Sequence, residues 1–90
     1  MHEPLTDREK AMLAFEKQTW RYAGMKEQAI RDLFGISATT YFQRINALID
    51  KPAALAAEPV LVKRLLRRRE DARRARAMPP ASARRASERR

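Results

Sequence analysis

The sequence contains no cysteine and one histidine, His2, which excludes several classes of catalytic and metal-binding site. Without cysteine there is no disulfide, no thiolate nucleophile and no cysteine-ligated metal. The 90 residues also show no nucleophile–base pair, phosphate-binding loop or metal-ligand spacing. The acidic residues do not pair within apolar stretches, as acid–base catalysis would favour. We therefore expect a protein that is not an enzyme and that has no metal site and no cofactor.

Long apolar runs are absent as well. No stretch reaches the roughly 18 apolar residues that a membrane-spanning helix needs, and no apolar segment of the signal-peptide type follows Met1. Alternating strand-like runs and internal repeats are missing too. These absences predict an all-α protein of the cytoplasm with no membrane partner.

The charge is divided very unevenly along the chain. Residues 1–59 hold eight basic and eight acidic side chains, whereas residues 60–90 hold twelve basic and three acidic ones. The entire net charge of +9 therefore belongs to the final third. A neutral body followed by a cationic segment is typical of proteins that bind a polyanion.

Helix start and stop signals divide the chain into four main helices. The sequence Thr6-Asp7-Arg8-Glu9 fits a capping box, and Gly24 and Gly35 each suit the position after a helix end. The fragment PAALAA (52–57) is short enough for one or two helical turns, and Pro59 suits a first helical position. Met78-Pro79-Pro80 ends any helix before an Arg-rich tail with the composition of a disordered segment. The predicted helices run from Thr6 to about Tyr22, Met25 to Phe34, Ala38 to Asp50, and onward from Pro59.

Apolar spacing identifies the predicted core. In the second helix, Ala29 with Leu33 and Ile30 with Phe34 repeat at intervals of four and predict a buried stripe. Large apolar side chains are usually buried, although Leu13 and Trp20 could instead form a partner surface, such as a dimer contact. Glu16 is expected on a solvated face, and the hydroxyl of Tyr41 is expected to reach water. The predicted core of the third helix is Tyr41, Ile45 and Leu48, widened by Phe42 and Ile49.

The turn Gly35-Ile36-Ser37 favours a helix-turn-helix. Gly35 reaches positive φ without a steric cost, Ile36 plugs the core, and Ser37 can cap the third helix. The motif usually has a small residue four positions before the glycine, where Arg31 stands, and an apolar residue nine positions after it, where Arg44 stands. A plain helical hairpin with an ordinary solvated face is therefore the alternative interpretation. The predicted DNA-contacting residues of this region are Ser37, Thr39, Thr40, Gln43 and Arg44.

The basic segment after Val60 is predicted to supply most of the affinity for phosphates. GC-rich genomes also encode many Ala, Arg and Pro residues in segments under little selection. The composition of this segment alone therefore does not assign a function. Leu61, Val62, Leu65 and Leu66 can dock the start of this helix, and the rest is expected to project or fray. The candidate phosphate-binding residues are Lys63, Arg64, Arg67, Arg68, Arg69, Arg73 and Arg74, with Arg76 in the same run.

The run from Phe15 to Arg68 resembles an actinobacterial family catalogued as domain of unknown function 3263. The resemblance is carried by Trp20–Gly24, Lys26–Arg31, Leu33–Ser37, Ala47–Asp50 and Leu61–Leu65. It implies a cytoplasmic protein of a GC-rich bacterium and supplies no known activity. The Leu33–Ser37 turn also resembles, over a shorter stretch, the turn of sigma-factor promoter-reading domains.

Together these features predict a helix-turn-helix bundle over residues 1–66 and a basic helix extension with a disordered tail over residues 67–90. The expected function is DNA binding by a small transcriptional regulator or nucleoid-associated factor. Duplex DNA is the expected partner, and a homodimer would suit paired half-sites. Two alternatives remain open: an interaction module for a protein such as RNA polymerase, and RNA binding by the Arg-rich segment.

Overall fold

The computed structural model describes residues 4–77, and every regular element in that range is an α-helix. The predicted all-α bundle with a basic C-terminal helix is confirmed, and the short fourth helix occupies the fragment expected to form one or two turns. None of the helices within these residues is long and apolar enough to cross a membrane. The predicted stop at Met78 and the predicted disorder after it lie outside the described residues. The five helices are α1 (Asp7–Glu16), α2 (Ala23–Phe34), α3 (Ala38–Leu48), α4 (Pro52–Ala57) and α5 (Pro59–Ala77).

The predicted capping box opens α1. The side-chain oxygen of Thr6 accepts the backbone N–H of Glu9 at 3.1 Å, and the N–H of Thr6 donates to the Glu9 carboxylate at 2.9 Å. Both donors would otherwise be unpaired at the helix start. This reciprocal pair fixes where the first helix begins.

The predicted end of α1 near Tyr22 is wrong, because the helix stops at Glu16. The N–H groups of Lys17 and Gln18 each bond to the carbonyl three residues back, which closes the last turn tightly. The chain then leaves the helix, and the ring of Trp20 packs on Phe15 with centroids 5.4 Å apart. The sequence from Thr19 to Tyr22 is rich in weaker helix formers, so tertiary packing of Trp20 prevails over continuation of the helix.

The two glycines have different roles. Gly24 does not end α1 as predicted, because it lies in the first turn of α2, after Tyr22 in an extended conformation. Gly35 does end α2 as predicted, in the left-handed conformation with φ of 67°. Its N–H bonds to the carbonyl of Arg31 at 2.9 Å. Of the two glycines, Gly35 is therefore the one whose left-handed conformation the turn between α2 and α3 requires.

We expect Gly35→Ala to lower the free energy of unfolding by about 1–2 kcal/mol, the usual cost of placing an L side chain in the left-handed region. Gly24→Ala is the matched control, since an added Cβ meets nothing within 4 Å at either position. Because Gly24 is helical, its replacement should stabilise the protein by about 0.5–1 kcal/mol. Urea unfolding measures the free energy of unfolding of both variants. If the two substitutions changed it in the same direction, the different roles given to the two glycines would be contradicted.

All five helices contribute to one hydrophobic core. Its centre is Tyr41, Leu13, Ile30 and Val62, each at most 2% exposed. Around Tyr41 the rings of Phe15 and Phe34 lie with centroids 5.6 and 5.4 Å away, within the range of favourable aromatic contacts. The full buried apolar set is Met12, Leu13, Phe15, Ile30, Tyr41, Ile45, Leu48, Ile49, Ala54, Leu61, Val62 and Leu65.

One prediction about an apolar surface needs correction, and another is confirmed. Leu33 is 64% exposed and not part of a buried stripe, because it lies at the edge of an open depression beside α1. Leu13 is only 2% exposed and Trp20 packs half-buried against the core, so the preferred interpretation of both as core residues, rather than as a partner surface, is confirmed. Apolar spacing finds the apolar face of a helix but does not say which part of it another helix covers.

Candidate functional site

The start of α3 is built by the predicted serine cap. The Ser37 hydroxyl oxygen accepts the backbone N–H of Thr40 at 3.1 Å, and the two side-chain oxygens lie 3.0 Å apart. Both residues were candidates for DNA contacts, and in the structure their hydroxyls take part in the cap. The cap fixes the first turn of α3 and hence the direction of the side chains that follow.

The exposed side of α3 and the C-terminal half of α5 form an open groove of about 530 Å³. Thr39 and Gln43 line it from α3, and Arg73 lines it from α5. These three candidates are thus brought together although Arg73 stands 30 positions after Gln43 and 34 after Thr39. We call this feature the α3–α5 groove. Its lining residues are Thr39, Phe42, Gln43, Asn46, Arg69, Arg73 and Arg76.

Arg69 holds the two walls of the groove together. Its Nη2 lies 2.7 Å from Oδ1 of Asp50, and its Nη1 lies 3.1 Å from Oδ2 of the same carboxylate. Nη1 also donates to the side-chain oxygen of Asn46 at 2.9 Å. This hydrogen bonding lowers the pKa of Asp50 and raises that of Arg69. Arg69, predicted to bind phosphate, is therefore a positioning residue that fixes α5 against the end of α3.

The other basic candidates of α5 divide between three sides of the helix. Arg73 lines the groove and forms an ion pair with Glu70 at 3.5 Å, and its charge also acts on Asp50. Arg64 and Arg68 line a different cavity beside the α1–α2 connection. The remaining candidates are exposed, and the helical period places them on a third side: Lys63, Arg67 and Arg74.

Arg44 is separated from Gln43 although the two are adjacent in sequence. It lines a depression of about 270 Å³ with Arg8, Glu9 and Lys51, on the side of α3 that faces α1. Ile45, its other neighbour, is 7% exposed and belongs to the core. The apolar position expected at Arg44 is thus taken by Ile45, and the two predicted base-contacting residues do not act on one surface.

Sequence reasoning missed Asn46 and Phe42 as members of the groove. Asn46 stands seven residues after Thr39 and three after Gln43, so helical periodicity could have identified it. Phe42 was expected to widen the buried stripe but is 44% exposed. The ammonium of Lys26 lies 5.3 Å from its ring centroid, within cation–π range.

A buried polar network supports α3 from beneath. The Tyr41 hydroxyl donates to the Glu16 carboxylate at 2.7 Å, and Lys26 pairs with the same oxygen at 3.2 Å. The predictions that Glu16 is solvated and that the Tyr41 hydroxyl is wet are both wrong, because each group finds its partner in the protein interior. Burial, together with the bond to Glu16, raises the pKa of Tyr41. Within residues 4–77, no cluster of three or more acidic or histidine side chains could hold a metal ion.

The family described as "Protein of unknown function (DUF3263)" matches residues 4–77. The match spans the same residues that the structure describes, so the chain belongs to this family, as its sequence resemblance predicts. No curated protein and no solved structure matches the chain. Because the family description names no activity, a function has to be argued from the groove and the charges around it.

Proposed function

We propose that this member of the DUF3263 family is a DNA-binding protein in which α3 enters the major groove and α5 contacts the phosphate backbone. The observation that carries the proposal is the composition of the α3–α5 groove. Side chains that can hydrogen-bond to base edges, Thr39 and Gln43, line it together with the guanidinium groups of Arg73 and Arg76.

The α2–turn–α3 unit supports this function because its parts follow the order of a helix-turn-helix. A left-handed glycine closes the first helix, and a serine caps the second. In such motifs the N-terminal residues of the second helix contact base edges. The exposed Thr39 and Gln43 stand at the second and sixth positions of α3. The Tyr41–Glu16 bond on the opposite side fixes the rotation of the helix.

The distribution of charge assigns affinity to α5. The helix holds eight basic and two acidic residues, whereas α3 holds a single charged residue, Arg44. Each phosphate neutralised by such a cation steepens the fall of log affinity with log salt by about 0.9. Phosphate contacts fix register without reading sequence, so the two helices divide affinity and selectivity between them.

The biological role that fits this division is that of a small transcriptional regulator or a nucleoid-associated factor. One module of this size reads only a few base pairs, so a regulator would use a homodimer on paired half-sites. A nucleoid-associated factor would need only the phosphate contacts. The two roles differ in how strongly the protein prefers one sequence over another.

Duplex-binding measurements test the proposal. The intact chain should bind duplex DNA with a steep salt dependence, and selection from a randomised duplex pool should yield a preferred sequence. Thr39→Ala/Gln43→Ala should then reduce the preference for that sequence over a scrambled one roughly tenfold or more, since each good base contact contributes about 1–3 kcal/mol. The salt slope should not change, because no phosphate-binding cation is removed.

Gln28→Ala is the control, an exposed glutamine on α2 that bonds to Asp32 and lies outside the groove. It should leave affinity and preference unchanged. If the intact chain binds duplex DNA no better than a neutral protein at low salt, the proposal fails. If it binds but selects no sequence, the base-reading role of α3 fails and only phosphate binding stands.

One observation favours a second candidate function, a module that binds a protein such as RNA polymerase. Tyr22, directly before α2, and Met25 and Leu33 on α2 are 62%, 53% and 64% exposed. Exposed apolar patches are typical of protein contact surfaces. Capture of RNA polymerase from nuclease-treated extract, lost on Met25→Lys/Leu33→Lys while duplex affinity is kept, would favour this candidate.

A further inference from the structure

A second cavity, of about 380 Å³, lies between α5 and the segment that joins α1 to α2. We call it the loop cavity. No residue lines both this cavity and the α3–α5 groove, so it forms a separate site. Its volume is within the roughly 300–1,000 Å³ of small-molecule sites. It is lined by Glu16, Lys17, Gln18, Thr19, Trp20, Ala23, Lys26, Arg64 and Arg68.

The lining carries uncompensated positive charge. Lys26 pairs with Glu16, the one acidic residue of the lining, and Lys17 pairs with Glu58 at 2.5 Å. Arg64 and Arg68 make no ion pair with any residue among 4–77. Like charges four residues apart on a helix repel each other. Two adjacent guanidinium groups at a cavity wall therefore favour an anion between them.

Backbone and indole donors add to this positive charge. The indole N–H of Trp20 is buried and has no acceptor, which is costly for a polar group removed from water. Ala23 lines the cavity at the start of α2, where no side chain caps the helix and no acidic residue stands in the first turn. The first N–H groups of a helix and its dipole both favour a negative charge. Cations thus line a space that the start of α2 also borders, beside a tryptophan whose indole N–H lacks a partner among the described residues.

We propose that the loop cavity binds a phosphate group through Arg64 and Arg68. Guanidinium groups match the geometry of phosphate with paired hydrogen bonds, and the helix start supplies further donors. The phosphate belongs either to a free phosphorylated small molecule or to the DNA backbone, and the chemistry of recognition is the same for both. This site goes beyond the DNA contacts of the α3–α5 groove and does not depend on them.

Trp20 is the only tryptophan of the chain and therefore reports directly on this cavity. We expect inorganic phosphate and pyrophosphate, added at constant ionic strength against chloride, to change its fluorescence saturably. Arg64→Gln/Arg68→Gln should weaken the apparent affinity roughly tenfold or more, the order expected for lost charge-assisted hydrogen bonds. Lys63→Gln/Arg67→Gln removes the same charge from neighbouring exposed positions of α5. It should change the apparent phosphate affinity less than about twofold, because interactions between solvent-exposed charges contribute little.

Thermal unfolding with and without pyrophosphate separates loss of binding from damage to the fold in Arg64→Gln/Arg68→Gln. Pyrophosphate should raise the Tm of the intact chain and of Lys63→Gln/Arg67→Gln, because a ligand that binds the folded state stabilises it. It should not raise the Tm of Arg64→Gln/Arg68→Gln, whose circular dichroism should match that of the intact chain.

Duplex DNA distinguishes the two sources of phosphate. If the backbone of DNA fills the cavity, duplex changes Trp20 fluorescence, and Arg64→Gln/Arg68→Gln loses more duplex affinity than the control. If a free phosphorylated molecule fills it, both variants bind duplex equally and pyrophosphate still titrates the DNA-bound chain. The proposal is overturned if neither pyrophosphate nor duplex gives a saturable response, or if both variants respond like the intact chain. Failure of duplex binding alone refutes the DNA function and leaves the phosphate titration to decide this site.

Discussion

Replacement of Arg73, Arg74 and Arg76 together by glutamine is expected to weaken duplex binding roughly 10²–10³-fold at about 0.1 M monovalent salt. The same counterion argument lowers the magnitude of the salt slope by about 3. These residues lie exposed on the last turns of α5 in the described range. Among residues 4–77, Arg73 is the one of the three that forms an ion pair, with Glu70 at 3.5 Å, so most of their charge is available to phosphates.

The matched control removes three positive charges from exposed positions of the body, Lys10, Arg21 and Arg31. Binding isotherms at four or more salt concentrations should show nearly the intact slope for this control. Equal losses in both triple variants would mean that binding follows net charge alone and would contradict a specific role for α5. Far-UV circular dichroism checks that glutamine has preserved the helix, as its good helix propensity leads us to expect.

The second large effect concerns the buried network beneath α3. Tyr41→Phe is expected to lower the free energy of unfolding by about 1.5–3 kcal/mol, the range for a hydrogen bond to a charged group. The lost hydroxyl donates to Glu16 at 2.7 Å and also contacts the carbonyl oxygen of Met12 at 3.3 Å. Glu16 is only 9% exposed, so water does not readily replace the missing donor. Lys26 would be left as its one side-chain partner in the network.

Tyr22→Phe removes the same hydroxyl from a tyrosine that is 62% exposed, and it should change stability by no more than about 0.5 kcal/mol. Urea unfolding at neutral pH measures both variants. A Tyr41→Phe protein as stable as Tyr22→Phe would show that the network does not stabilise the fold, whatever its geometry.

Local signals in the sequence predict the helix ends well, where a single residue type satisfies a local requirement. The Thr6–Glu9 capping box, left-handed Gly35 and the Ser37 cap are all present as predicted. Each depends on atoms within four residues. The same reasoning fails for the end of α1, because Trp20 packs on Phe15 and tertiary contacts override the helical pattern.

Features that depend on distant partners are not visible in the sequence. Glu16 has the spacing of a solvated residue, and its burial follows from a tyrosine 25 positions away. The α3–α5 groove also depends on distant partners. The sequence of α3 alone is enough to predict that Thr39 and Gln43 are exposed, but not which residues lie opposite them. That they face Arg73 follows from the packing of α5 in the core and from the contact of Arg69 with Asp50, 19 residues away.

Beyond Leu66, the outer turns of α5 are held to the rest of the protein through Arg69. Apolar side chains hold the helix up to Leu66, and beyond that point residues 67–77 are exposed apart from Arg69 itself. The angle of these outer turns thus depends on the contacts of Arg69 with Asp50 and Asn46, and added salt weakens the solvent-accessible ion pair with Asp50. Acid weakens the same ion pair, since the pKa of Asp50 is lowered in the folded protein and the stability that this carboxylate contributes is lost as pH falls through that pKa. In the proposed DNA complex, ionic strength would therefore have two effects. It would reduce the gain from releasing counterions from the DNA, and it would weaken the ion pair that orients the outer turns of α5.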